Sequence, residues 1–177
     1  MVGAGAMVGV EVTEMAARWV RHLFCDHATA RRAFPREALA AIEQATASGE
    51  MRHSGQLRFV VEASLPLGRV WRGIDARRRA IELFGELGIW DTEANNGVLI
   101  YLLLADRQVE ILADRGIHAI VGEVAWQVIC GHMERAFRQG DFRGGALQGI
   151  NAIAELLERH FPARGGGNEL PDAPLVL

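Results

Sequence analysis

The sequence predicts an α/β fold: a three-layer αβα sandwich around a small mixed sheet. Three observations predict it. Apolar residues recur at spacings of three and four over several long stretches, the period of a helix with one buried face. Between these stretches lie three short β-rich runs, one of them continuously apolar from Val98 to Leu104, as suits a strand covered on both faces. The elements follow the order α-α-β-α-β-β-α-α, so a helix links the first two strands and a tight turn links the last two.

Val12, Met15, Ala16, Trp19, Val20 and Leu23 give the first helix, over Glu11 to Phe24. Pro35 suits a helical first turn, and Leu39, Ile42 and Ala45 carry a second helix to the Ser48–Gly49 cap signal. Gln56 to Ser64, "QLRFVVEAS", is the first strand, and Pro66 and Gly68 break the chain after it. From Ile74 to Leu87 a helix places Ala76, Ala80, Leu83, Phe84 and Leu87 on one face. Val98 to Leu104 is the second strand, Ala105–Asp106 a turn, and Gln108 to Ala113 the third strand. Ala119 to Arg138 reads as one helix with Val121, Val124, Val128 and Ile129 inward. Gly140–Asp141 ends it, and Phe142 to Phe161 is the last helix, on Leu147, Ile150, Ile153, Ala154 and Leu157. The tail "ARGGGNELPDAPLVL" is rich in Gly and Pro, has no period and is expected to be disordered. The organisation is therefore an extension with an amphipathic helix (1–33), one domain (34–162) and a tail (163–177).

A chain of 177 residues is long enough for one such domain without a metal or disulfide staple, since it buries roughly 70% of its unfolded surface. Its net charge of −3 argues against a general nucleic-acid binder. All 19 basic residues are arginines. Cys25 and Cys130 read as reduced thiols rather than a structural disulfide. "MVGAGAMVGV" lacks the positive start of a secretory signal, and the longest apolar run falls far short of the ~20 residues of a membrane span. No membrane insertion and a cytoplasmic location are the expectation.

The candidate site follows from hairpin arithmetic. With Ala105–Asp106 as the turn, Gly97 lies opposite Asp114 and Asn96 opposite Arg115. The loop Asp91-Thr-Glu-Ala-Asn-Asn96 then meets Asp114 at one end of the sheet, and Asp106–Arg107 sits at the other, roughly 20 Å away. Asp91, Glu93, Asn95, Asn96 and Asp114 supply the carboxylate and amide oxygens that Ca2+ and Mg2+ prefer, with Glu123 near the start of the next helix as a further candidate. The same residues also fit a plain reading as turn and strand-end hydrogen bonders. "GRVWRGIDARRRA" offers Arg69 and Arg72 near Trp71 for a phosphate or an acidic partner, and Arg115 stands beside the acidic loop. Arg77, Arg78 and Arg79 there read better as a solvated helix face balanced by Glu82 and Glu86. "RHLFCDH" has zinc-ligand residue types without a second pair, so a core thiol is the better reading. No nucleophile elbow, phosphate loop or dinucleotide fingerprint is present.

Two segments carry a family resemblance. "LGIWDTEANNGVLIYLLLADRQVEILADRGI" (Leu87 to Ile117) and "FRQGDFRGGALQGINAIAELL" (Phe137 to Leu157) contain an Asn-Gly-Val-Leu strand start, an Asp-Arg turn and a Phe-Arg…Gly-Asp-Phe helix pair. In these the chain resembles the TPM domain family, also called the TPM phosphatase family, from about Phe34 to Phe161. The resemblance implies an αβα sandwich and a divalent-cation site in acidic loops at one sheet end. Asn96 matches the family's residue before the strand, and Glu93 or Asn95 stands where an aspartate is common. Asp114 replaces a glycine of the family pattern, and the aspartate that opens the next helix is missing near Val121-Gly122-Glu123. Two functions remain open. One is a non-catalytic interaction or quality-control module with a weak Ca2+ or Mg2+ site, working with a protein partner and in particular a membrane protein. The other is a metal-dependent acid phosphatase using the acidic cluster.

Overall fold

A computed structural model describes residues 4–163 and 167–177, with side chains from Thr13 onward; Val12's side chain and part of the glycine-rich tail lie outside it. The helices are α1 (Ala4–Phe24), α2 (His27–Ala33), α3 (Arg36–Glu50), α4 (Leu67–Trp71), α5 (Ala76–Glu86), α6 (Arg115–Val121), α7 (Glu123–Arg138) and α8 (Phe142–His160). The strands are β1 (Gln56–Glu62), β2 (Gly97–Leu103), β3 (Gln108–Ala113) and β4 (Leu175–Val176), in sheet order β3-β2-β1-β4. β1 runs parallel to β2 and β4, and β2 antiparallel to β3.

The sheet is covered on both faces. Leu57, Phe59, Val61, Val98, Ile100 and Leu102 face one layer, formed by α2, α3, α7 and α8 through residues such as Phe34, Ile42, Phe137 and Ile150. Val60, Leu99, Tyr101 and Leu103 face the other, where Val70, Ala76, Ala80 and Leu83 come from α4 and α5. This is the αβα sandwich the sequence predicts. β2, buried at all seven positions, is its centre. The hairpin register also stands as predicted, with Val98 opposite Ala113 and Leu103 opposite Gln108.

Four elements differ from the expectation. The tail is ordered where it is described. Leu175 and Val176 add a parallel strand beside Val60 and Val61, and Leu177 exchanges backbone bonds with Val61 and Ala63. Its order comes from side chains of β1: Gln56 Oε1 accepts the N–H groups of Glu169 and Leu170, and Arg58 Nη1 donates to the carbonyls of Pro171 and Ala173. Second, the stretch expected as one helix from Ala119 to Arg138 breaks at Gly122, whose φ of 81° is open only to glycine at little cost. The break resets the helical phase. Trp126, Ile129, Met133 and Phe137 point inward, and Val124 and Val128 are exposed. Third, α2 had no sequence signal strong enough to separate it; Asp26 caps it by accepting the N–H of Thr29. Fourth, α4 precedes α5, which starts at Ala76 behind the Asp75 cap.

α1 docks by a polar grip rather than by its apolar stripe. Met15, Val20 and Leu23 are exposed, while Trp19 meets Trp71 edge-on at 5.3 Å and Arg18, Arg21 and His22 converge on Asp106 in the β2–β3 turn. The outer edge of β3 is closed by side chains: Glu134 accepts from Val109 N–H and Arg77 donates to Ile111 C=O. Cys25 and Cys130 are both free. Among the described residues, no helix is long and apolar enough to cross a membrane.

Candidate functional site

The amino ends of β1 and β2 lie side by side, Gln56 opposite Gly97, with the carboxyl end of β3 next to them. The loop entering β2 is tied there in three ways. Thr92 Oγ1 accepts the N–H of Asn96 at 2.9 Å, Thr92 C=O accepts that of Asn95, and Asn96 Nδ2 donates to the carbonyl of Ser54. Asn95 adopts φ 50°, a left-handed conformation that asparagine tolerates better than most residues. The loop thus needs its two asparagines for different reasons, one for backbone shape and one for a cross-link to the segment that leads into β1.

Above these strand ends opens a cleft of about 1270 Å³. The ends of α3 and α8 form one side, through Ser48, Glu50, His160 and Phe161. The β2 entry loop and the start of α6 form another, and the returning tail, with Asn168, Glu169 and Asp172, closes it. Its polar lining is rich in oxygen acceptors, with carboxyl groups from Glu50, Glu93, Glu169 and Asp172. No arginine lines it among the described residues.

The electrostatics of the cleft are set by burial. Burial pushes the Glu50 carboxyl up to about 8; the Leu57 N–H that it accepts at 2.6 Å opposes this, and Asp172 beside it adds to the rise. Burial lowers His53 to about 4, so the imidazole is neutral at physiological pH. Its Nδ1–H donates to Gly55 C=O at 3.1 Å, which leaves Nε2 as a bare acceptor without a partner. Asn96 Oδ1 is likewise buried without a hydrogen bond.

The structure brings together only part of the predicted set. Glu93, Asn95 and Asn96 line the cleft. Asp114 stands behind them and is occupied: its Oδ2 accepts Gly97 N–H at 2.8 Å while its own N–H donates to Gly97 C=O, closing the hairpin. Burial raises its carboxyl, partly offset by that N–H. Asp91 is exposed and does not line the cleft. Glu123 lies apart, in a smaller cleft of about 370 Å³ with Cys130 and Glu134, because the turn at Gly122 carries α7 away. Of the arginines, Arg69 pairs with Glu82, and Arg72 and Arg115 are exposed. Glu50, His53, Gln56, Glu169 and Asp172 were not foreseen. The short apolar run "PLVL" was the one signal that the tail could return as a strand and carry its acids with it.

Comparison with known proteins agrees with this fold. The family model for the TPM domain matches residues 30–156. The chain belongs to the TPM domain family. Among solved structures, the BA42 protein from the psychrophilic bacterium Bizionia argentinensis superposes with a TM-score of 0.70 at 30% identity, covering 80% of this chain and 93% of that one. No curated protein sequence matches. The matched segment ends before the tail, so in this TPM domain the wall that supplies Glu169 and Asp172 lies outside the region the family model describes.

Proposed function

We propose that this TPM domain is a non-catalytic binding module whose acidic cleft receives a cationic ligand from a protein partner, with Ca2+ or Mg2+ as weak occupants. The observation that carries the reading is the lining: carboxyl and amide oxygens from four separate segments converge there, and one of the acceptors, Asn96 Oδ1, is buried without a donor. A divalent cation would be held loosely. Among the described residues no three His, Cys, Asp or Glu side chains come close enough to form a metal site, so single carboxylates, amide oxygens and water would supply the ligands. A membrane-protein partner and a cytoplasmic setting belong to the proposal.

The second reading, a metal-dependent phosphatase working at the same carboxylates, has the family model's own name in its favour. A titration separates the two. Ca2+ or Mg2+ added up to about 10 mM is expected to shift the amide resonances of Glu93, Asn95, Asn96 and Glu169, less so in Glu93→Gln. A phosphomonoester should show no turnover. Phosphate release that requires the cation and disappears in Glu93→Gln would establish the phosphatase instead.

A further inference from the structure

The cleft is larger than an ion needs. At about 1270 Å³ it exceeds the roughly 300–1,000 Å³ of pockets that hold drug-sized molecules. Its lining also mixes two chemistries. The acids Glu93 and Glu169 are exposed and Asp172 half-buried, beside the buried Asn96, which is 7% exposed and whose Oδ1 lacks a partner. The same lining includes Met51 and Ile120, which are 76% and 55% exposed.

We infer that the ligand is an arginine or lysine side chain presented by an extended, apolar-flanked segment of a partner protein. The inference rests on the binding-module reading above. Each part of the cleft answers to a part of such a segment. A guanidinium or ammonium brings several donors, and the orphaned Asn96 oxygen together with Glu93, Glu169 and Asp172 supplies acceptors for them. A buried acceptor without a bond is unfavourable, and a donor that reaches it from the ligand would relieve this. α3 and α8, of 15 and 19 residues, both end at the cleft, and the carboxyl ends of helices carry partial negative charge. The seven-residue α6 opposes them with its other end. Met51 and Ile120 then offer apolar contact to the residues on either side of the basic one, an arrangement a bare cation would leave unused.

The experiment uses the full chain and a fluorescently labelled Leu-Leu-Arg-Leu-Leu peptide, its Glu-centred twin and a Gly-flanked version. The Arg-centred peptide is expected to bind at least about tenfold more tightly than the Glu-centred one, with an affinity that falls as salt rises. Glu93→Gln combined with Asp172→Asn should cost about tenfold, and a thermal melt checks that this variant is folded. Met51→Ser and Ile120→Ser, both at exposed positions, should weaken the Leu-flanked peptide and leave the Gly-flanked one unchanged. Equal binding of the Arg- and Glu-centred peptides overturns the inference, as does full affinity in the carboxylate double variant. Spermidine that displaces the peptide at matching affinity overturns the peptide as the source of the cation. Amide shifts with Ca2+ but no peptide binding sink this inference alone, and absence of both sinks the binding-module reading with it.

Discussion

His22 donates from Nε2 to Asp106 across 3.1 Å, while its Nδ1 accepts the N–H of Leu65 at 2.9 Å. One buried imidazole therefore joins α1, the β2–β3 turn and the exit from β1. Arg18 adds a second donor to Asp106 at 2.8 Å. Burial alone would raise the Asp106 carboxyl, but the His22 and Arg18 bonds outweigh it and hold the group at about 2. Removing that carboxylate strands the Nε–H of Arg18, whose Nη2 keeps the Ile74 carbonyl, and the Nε2–H of His22. Asp106→Ala is expected to cost about 3–5 kcal/mol by urea denaturation, the range for breaking a buried pair from one side. Arg21→Ala should cost under about 1 kcal/mol, because Arg21 is half exposed and 3.4 Å away. The Asp106 contribution is present above the ordinary aspartate value of 3.8 and is lost as pH falls through 2. An Asp106→Ala variant with the wild-type urea midpoint would show that the grip on α1 is incidental.

The tail depends on one amide in the same way. Gln56 Oε1 accepts from Glu169 N–H at 2.7 Å and from Leu170 N–H at 3.2 Å. Gln56→Ala deletes both bonds and leaves two backbone donors to find water. The expected cost is about 1–3 kcal/mol, confined to the tail. Hydrogen exchange at Glu169 and Leu170 should speed up, with exchange in β2 unchanged. Because Glu169 Oε2 also accepts the N–H of Glu93, the exchange of Glu93 should quicken too. Unchanged protection at all three amides would mean that β4 alone holds the tail.

What the sequence revealed and what it hid divide along a physical line. The hairpin was legible because a short turn at Ala105–Asp106 leaves one register along both strands, which puts Asp114 opposite Gly97. Asn96 was legible as a polar residue at the mouth of an apolar strand. The cleft was not. Glu50, Glu93 and Asp172 are far apart in the chain, and what gathers them is the return of a tail with no apolar period of its own. That tail is anchored by its backbone to the side chains of Gln56 and Arg58, and such anchoring leaves no pattern in the tail's sequence. Glu123 was misplaced for the converse reason: helical periodicity ran on through Gly122, where the backbone turns.

Gly97, in the Asn-Gly-Val-Leu piece, is required by contact rather than by conformation. A Cβ on Gly97 would lie 2.0 Å from the carbonyl oxygen of Ile89, a backbone atom inside the apolar layer that cannot swing aside. Gly97→Ala should cost at least the ~3 kcal/mol upper end of ordinary overpacking, seen as a sharp fall in melting temperature or a failure to fold. Gly85 in α5 is the control. Nothing lies within 4 Å of its Cβ position, so Gly85→Ala should change stability by no more than about 1 kcal/mol, and upward. A Gly97→Ala protein that melts within a few degrees of wild type would contradict the close approach.

Glu50 makes the stability of the cleft depend on pH, and the sign is fixed by its environment. Burial lifts its carboxyl from 4.5 to about 8, so folding favours the protonated form. Its contribution to stability is complete below pH 4.5 and is lost as pH rises through 8. His53 acts on the opposite side. Burial lowers it from 6.5 to about 4, so its contribution is complete above 6.5 and is lost as pH falls through 4. Thermal melts from pH 4 to 9 should show a maximum between these limbs. Glu50→Gln keeps an oxygen for the Leu57 N–H and removes the ionisation, so it should flatten the alkaline limb and leave the acid limb in place. A cation in the cleft should act in the same direction, because a positive charge beside Glu50 favours its ionised form. Raising the pH from 6 to 8 should then lower the melting temperature of the free protein more than that of the protein with bound cation or basic peptide. An alkaline limb that persists in Glu50→Gln would assign the effect to another group.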